Sequence, residues 1–172
     1  MRKIVAFCDA SYDRKSGAGG VGVYYQSAPD DDASLSLAVS GMHDCNYGEV
    51  FALWLVLCSV GQTMSPEEIK TFGLVIYLDS DHALALFNGE GEVKEGREFE
   101  AEMIKSARLY ASKLSGLEIV CVKSHRGFSP LGMANEHCDR LAKKAMRLMR
   151  DTSIEVKPIK DIFKDKGGEL ES

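Results

Sequence analysis

The chain has 172 residues, with 21 Lys+Arg against 26 Asp+Glu and a formal charge of −5. Its 45% hydrophobic and 27% charged content, on a length sufficient for one buried core, excludes collagen-like, wholly disordered and membrane-spanning classes. Net acidity taken alone argues against a nucleic-acid partner.

In chain order, Lys3 to Cys8 (KIVAFC) is a short apolar run with β-branched members and predicts a buried strand that ends at Asp9. Turn material from Asp13 to Gly20 leads into VGVYYQS, a second strand. Ala28-Pro29 with Asp30, Asp31 and Asp32 reads as a solvated hairpin tip, and Ser34 to Ser40 alternates as a third strand with one buried face. Glu49 to Val60 is apolar nearly all round, so this helix, with Trp54 as a core residue, belongs buried against the sheet. Its longest apolar stretch, Val50 to Leu57, falls far short of the roughly 20 residues of a membrane helix.

Ser65-Pro66-Glu67-Glu68 carries the signature of a capped short helix. Phe72 to Leu78 is a continuous apolar run ending at Asp79, the pattern of a central strand, and Ser80 or Asp81 can cap a helix that stops at Asn88-Gly89. Glu90 to Gly96 reads as a loop, Phe99 to Leu114 as an amphipathic helix, and Leu117 to Val122 as the last strand. Ser124 to Ala134, with Gly127, Pro130 and Gly132, predicts a loop, and Asn135 to Met149 a helix with an apolar stripe of Leu141, Ala145, Leu148 and Met149. The pattern gives one α/β domain over residues 1–150, with residues 151–172 as a peripheral tail. The five cysteines show no C-x-x-C spacing and read as reduced, mostly core residues. The Ile4–Cys8 run is too short for a signal-peptide core, which points to the cytoplasm.

Four acids sit on or beside apolar elements rather than on solvated faces: Asp9, Glu49, Asp79 and Asp139. Burying carboxylates is expensive unless something positive joins them. Adjacent parallel strands that both end in Asp bring two of them to one sheet edge, where the helix acids can join. Such a cluster favours a hard divalent ion, and two such ions suit phosphodiester hydrolysis. Taken singly, each of the four is as well explained by a turn, a cap or a helix dipole.

The residues around these acids resemble a family, the type 1 ribonucleases H. FCDASY followed by GAGGVGVYY is similar to that family's first-strand Asp and glycine-rich hairpin. CNYGEVFAL resembles its Asn-x-x-Glu helix start, VIYLDSDHAL its strand ending in Asp-Ser, and VKSHRG with NEHCDRLAKKA its histidine loop and last helix. The four motifs occur in the family's order and span roughly residues 3–147. The resemblance implies a ribonuclease H-like fold: a five-stranded mixed sheet, three strands antiparallel then the rest parallel, with helices on both faces. It implies that Asp9, Glu49, Asp79 and Asp139 hold two Mg²⁺ or Mn²⁺ ions, that His125 assists proton transfer, and that Glu136 supports the metals. The implied substrate is an RNA–DNA hybrid, bound by a monomer, whose RNA strand is cut to 3′-hydroxyl and 5′-phosphate ends with little regard to sequence. Ser11, Gly19, Gly20, Asn46, Ser80, Arg126 and Asn135 are the implied substrate contacts.

Three features depart from the family pattern. The stretch Asn88 to Arg97, where many members carry a basic, Trp-containing protrusion, is short, acidic and without aromatic residues. Asp44 and Cys45 stand where the family places small polar residues for a DNA-strand phosphate, and the loop from His125 to Asp139 is longer than in compact members. A catalytically inactive binding module and a DNA-cleaving or exonucleolytic relative are the alternatives. The charge is also unevenly spread: residues 97–150 carry 11 basic and 6 acidic side chains. Within that basic segment Lys123, Arg126, Lys143 and Arg147 form a candidate footprint for nucleic acid, one that salt should weaken.

Overall fold

A computed structural model of the chain describes residues 2–28, 31–122 and 129–152. Strands β1 (Arg2–Asp13), β2 (Ala18–Ala28) and β3 (Asp31–Val39) form an antiparallel meander. Strands β4 (Phe72–Leu78) and β5 (Leu117–Cys121) extend it in parallel on the other side of β1, giving the order β3-β2-β1-β4-β5. The expected mixed sheet of three antiparallel and then parallel strands is therefore present. β4 is buried along nearly its whole length because it lies inside the sheet between β1 and β5.

Side chains alternate across β1, and the two faces receive different helices. Helix α1 (Cys45–Thr63) covers the face of Ile4, Ala6, Cys8 and Ala10; a Cβ on its Gly48 would lie 2.8 Å from the Ala10 Cβ. The back of α1 is covered in turn by α4 (Glu98–Ala111), where Trp54 Nε1 donates to Ser106 Oγ at 3.2 Å and Gly61 lies under the Tyr110 ring. A helix enclosed on both sides has no use for a polar face, which is why its sequence is apolar all round. The short helix α2 (Pro66–Ile69) carries the expected capping box on Ser65 and Glu68. Helix α3 (Asp81–Asn88) ends at Gly89 with φ 82°, in the left-handed conformation that glycine adopts without strain.

Helix α5 (Pro130–Asp151) lies on the opposite face, directly over β2. A Cβ on Gly22 would lie 2.1 Å from the Cys138 carbonyl oxygen, and one on Gly20 would lie 2.2 Å from that of Ala142. Backbone thus rests on backbone, and Cys138, Ala142 and Ala145 are the buried residues of the helix. The expected stripe of Leu141, Ala145, Leu148 and Met149 is corrected accordingly: Leu148 is 55% exposed, because the close approach leaves room only for small side chains.

Three boundaries also differ. β1 does not end at Asp9 but runs on to Asp13, because the ladder with β2 continues to the Asp13–Ala18 pair. α1 begins at Cys45, so Glu49 lies beyond its first turn. α5 begins at Pro130 rather than Asn135: Ser129 Oγ accepts from the Gly132 amide and Pro130 takes the first helical position. The segment read as a loop up to Ala134, and as a long loop up to Asp139, is therefore helical from Pro130. The rest of that loop, the tip residues Pro29 and Asp30, and the tail from residue 153 lie outside the described residues.

Gly22→Ala is expected to destabilise the fold by about 3 kcal/mol, since the new methyl meets backbone that cannot rotate away. Gly91→Ala, facing the flexible end of Leu86, is expected to cost well under half of that. Urea unfolding of the two variants beside the parent measures the contrast.

Candidate active site

The parallel register between β1 and β4 pairs Phe7 with Tyr77. Two residues further on, Asp9 and Asp79 therefore stand at the same level on neighbouring strands, Asp9 within β1 opposite Gly22 and Asp79 just past the end of β4. Glu49 reaches the same spot from α1. Ligand oxygens of the three carboxylates all lie within 4.8 Å of one another, and among the described residues they form a group able to hold a metal ion. The Ala10 amide donates to Asp9 Oδ1 at 2.7 Å and to Glu49 Oε1 at 3.1 Å, tying the strand acid to the helix acid.

The electrostatics are those of like charges held together out of water. Asp9 is 7% and Glu49 8% exposed. Burial first, and then the Asp79 charge, push Asp9 up to about 7, and Asp139 adds a smaller push. Burial, then Asp9 and Asp79, push Glu49 well above the ordinary carboxylate range. Glu49 Oε2 is buried and accepts no hydrogen bond among the described residues. An all-oxygen donor set carrying an orphaned buried lone pair fits a hard divalent cation such as Mg²⁺ or Mn²⁺.

The fourth acid, Asp139, lies on α5 in the third turn of the helix, with Oδ2 2.8 Å from Lys143 Nζ. It is close enough to act on Asp9 but is not in the three-carboxylate group. Asn135 is half-buried, and its Oδ1 is buried without a hydrogen-bond partner among the described residues. Ser11 is half-buried on β1 opposite Gly20, and Asn46 is exposed in the first turn of α1. The Ser80 hydroxyl is buried and engaged as the cap of α3, accepting from the Ala83 amide at 3.2 Å.

Gly19 and Gly20 are both buried, Gly19 against Met42 and Gly20 under α5. Close packing against Met42 and against the α5 backbone requires glycine at the two positions. Glu136 is exposed and faces Arg140 at 3.6 Å. His125, Arg126 and Lys123 lie outside the described residues. All five cysteines are free; burial holds the Cys138 thiol up at about 12, and it donates to the Phe7 carbonyl.

Two residues near the site, Arg97 and Glu100, went unnoticed in the sequence. Asp44 caps α1 and is held in a fork by Arg97, with Nη2–Oδ2 at 2.5 Å. Partial burial pushes the Asp44 carboxyl up, but Arg97 and the Tyr47 amide outweigh it and hold the group below its ordinary value. Glu100 is 1% exposed within α4. Its signal was its place on the helix face of Met103, Ile104 and Ala107, three, four and seven residues away on the buried side.

A family model described as RNase H matches residues 1–147. The chain belongs to the RNase H family. Solved structures of RNase H proteins share its fold. The N-terminal RNase H domain of Rv2228c from Mycobacterium tuberculosis, solved as a fusion with maltose-binding protein, is 21% identical with a TM-score of 0.66, over 86% of this chain and 96% of that one. RNase H1 from the halophilic archaeon Halobacterium salinarum NRC-1 is 18% identical with a TM-score of 0.65, over 84% and 98%. LC11-RNase H1, solved in complex with an RNA/DNA hybrid, is 17% identical with a TM-score of 0.62, over 84% and 97%. No curated protein sequence matches the chain significantly. Among the described residues, no helix of this RNase H family member is long and apolar enough to cross a membrane.

Because Asp9 holds its proton more tightly in the fold than in the unfolded chain, the folded state carries the extra proton from the ordinary carboxylate range up to about pH 7. The stability of the metal-free protein is therefore expected to fall as pH rises through that window, by on the order of 4 kcal/mol. Asp9→Asn removes the penalty while keeping an oxygen for the Ala10 amide. It is expected to raise the melting temperature of the metal-free protein at pH 8, where thermal unfolding in a chelator gives the comparison.

Proposed function

We propose that this chain is a ribonuclease H, a metal-dependent endonuclease that hydrolyses the RNA strand of RNA–DNA hybrids largely without sequence preference and leaves 3′-hydroxyl and 5′-phosphate ends. The observation that carries the reading is the convergence of buried Asp9 and Glu49 with Asp79, within 4.8 Å, on a member of the RNase H family. Asp9, Glu49 and Asp79, joined by Asp139, would hold two Mg²⁺ or Mn²⁺ ions. Bound there, the ions supply Lewis acidity and an activated water for phosphodiester hydrolysis.

The protein's own part is positional and electrostatic. The shared Ala10 amide fixes the Asp9 and Glu49 oxygens relative to each other, so the carboxylates need little reorganisation when charge arrives. His125 serves as the proton carrier for the departing 3′ oxygen. Ser11, Asn46 and Asn135, which flank the acids, and Arg126 contact the scissile strand. The A-like shape and 2′-hydroxyls of the hybrid are read rather than base edges. Exposed Lys143, Lys144 and Arg147 on α5 supply attraction for phosphate. With the basic protrusion replaced by the acidic segment Asn88 to Arg97, that attraction is modest and falls with added salt. The catalytic domain is residues 1–150, acting as a cytoplasmic monomer.

A hybrid labelled separately on each strand, incubated with Mg²⁺ or Mn²⁺, tests the reading: the RNA strand is cut and the DNA strand survives. An RNA strand that survives with both ions overturns it in favour of an inactive binding module. A cut DNA strand or DNA duplex points instead to another nuclease of the same fold. Asp79→Asn is expected to lower kcat at least 100-fold, as removing a direct metal ligand should, with the circular dichroism spectrum unchanged. Retained turnover would remove Asp79 from the metal site.

A further inference from the structure

Among the described residues, Glu100 is the one buried charged side chain outside the three-carboxylate group. It belongs to an ionic chain that runs between the helix ends beside the site. Asp44, the cap of α1, is gripped by Arg97 through both guanidinium nitrogens. Arg97 Nη1 lies 3.6 Å from Glu100 Oε2, and Glu100 Oε1, buried without a hydrogen-bond partner among the described residues, lies 3.8 Å from Nε2 of His82 in the first turn of α3, a contact that is ionic when the imidazole is protonated. The chain thus starts at the cap of the helix that carries Glu49 and ends in the helix that follows directly on Asp79.

A tie needed for stability alone would be made as well by apolar residues, since replacing a buried ion pair with packed hydrophobes is often neutral or stabilising. What charge adds is directional geometry at the Arg97–Asp44 fork, with Glu100 holding the guanidinium from its other side. We infer that Glu100 and Arg97 are positioning residues for the carboxylate site, setting the spacing between Glu49 and Asp79 through the N-terminal turns of α1 and α3. The inference rests on the metal-dependent reading above and extends it to residues that touch neither metal nor substrate.

Glu100→Gln keeps the shape and removes the charge. Mn²⁺ titration of the full chain by calorimetry, without substrate, is expected to show about tenfold weaker binding, in the range that supporting residues contribute to metal affinity. Hybrid cleavage should show the half-saturating Mn²⁺ concentration raised by the same factor. Arg97→Gln should behave alike, and the double variant should be no worse than either single one, because one chain is broken only once. Should Glu100→Gln fail to fold, Arg97→Gln with His82→Asn reads the same quantity. A merely structural role would lower the melting temperature yet leave Mn²⁺ affinity within twofold of the parent, and that result overturns the inference alone. A parent chain that binds no Mn²⁺ and cuts no hybrid overturns the underlying reading and this inference with it.

Discussion

Two buried carboxylates and a half-buried third that repel one another are packed together, and the surrounding fold is what keeps them there. Burial and mutual repulsion act against the charges of Asp9 and Glu49, and among the described residues only the Ala10 amide is seen to answer both. The sheet answers with register, since the parallel pairing of β1 and β4 leaves no freedom in the level at which Asp9 and Asp79 stand. The helix layer answers with enclosure: α1 is gripped by the sheet beneath and by α4 above, so Glu49 cannot swing away without breaking a core. The free energy stored in the cluster is then available to any cation that enters, as affinity.

The second layer of control lies on the other face. α5 brings Asp139 toward the site, and the basic side chains of the same helix face outward. A single element therefore carries both an acid near the metal group and the positive charge that would meet a polyanion. This division reconciles an acidic chain with a nucleic-acid substrate: the sign of the net charge matters less than which face bears which sign.

Much of this was legible in the residues. Element order, the buried character of α1 and β4, the capping box at Ser65 and the glycine stop at Gly89 follow from local chemistry that tertiary structure does not override. The acids Asp9, Glu49 and Asp79 were legible because each interrupts or adjoins an apolar run. The extension of β1 past Asp9 was not, because strand length depends on a partner, and the β2 ladder is a long-range fact. The early start of α5 was overlooked because Gly132 and Pro130 read as loop residues, although Ser129-Pro130 is a helix-opening pair. The seat that Gly20 and Gly22 give α5 was not legible for a similar reason: a glycine does not announce whether a ligand or a helix comes close. Glu100 and Arg97 were hidden by averaging, since a helix rich in charge gives little sign of which charge is buried.

The seat of α5 on β2 has a consequence for how this protein tolerates change. A helix positioned by backbone contact has no side-chain knobs to be worn down or rebuilt, so its height above the sheet does not depend on what its outer surface displays. Arg140, Lys144 and Arg147 can drift in sequence, and the surface charge with them, while Asp139 stays in register with the sheet below. The two glycines separate what is free to vary from what is not: affinity for a polyanion can evolve on the outside of α5 without disturbing the alignment of the acids beneath it.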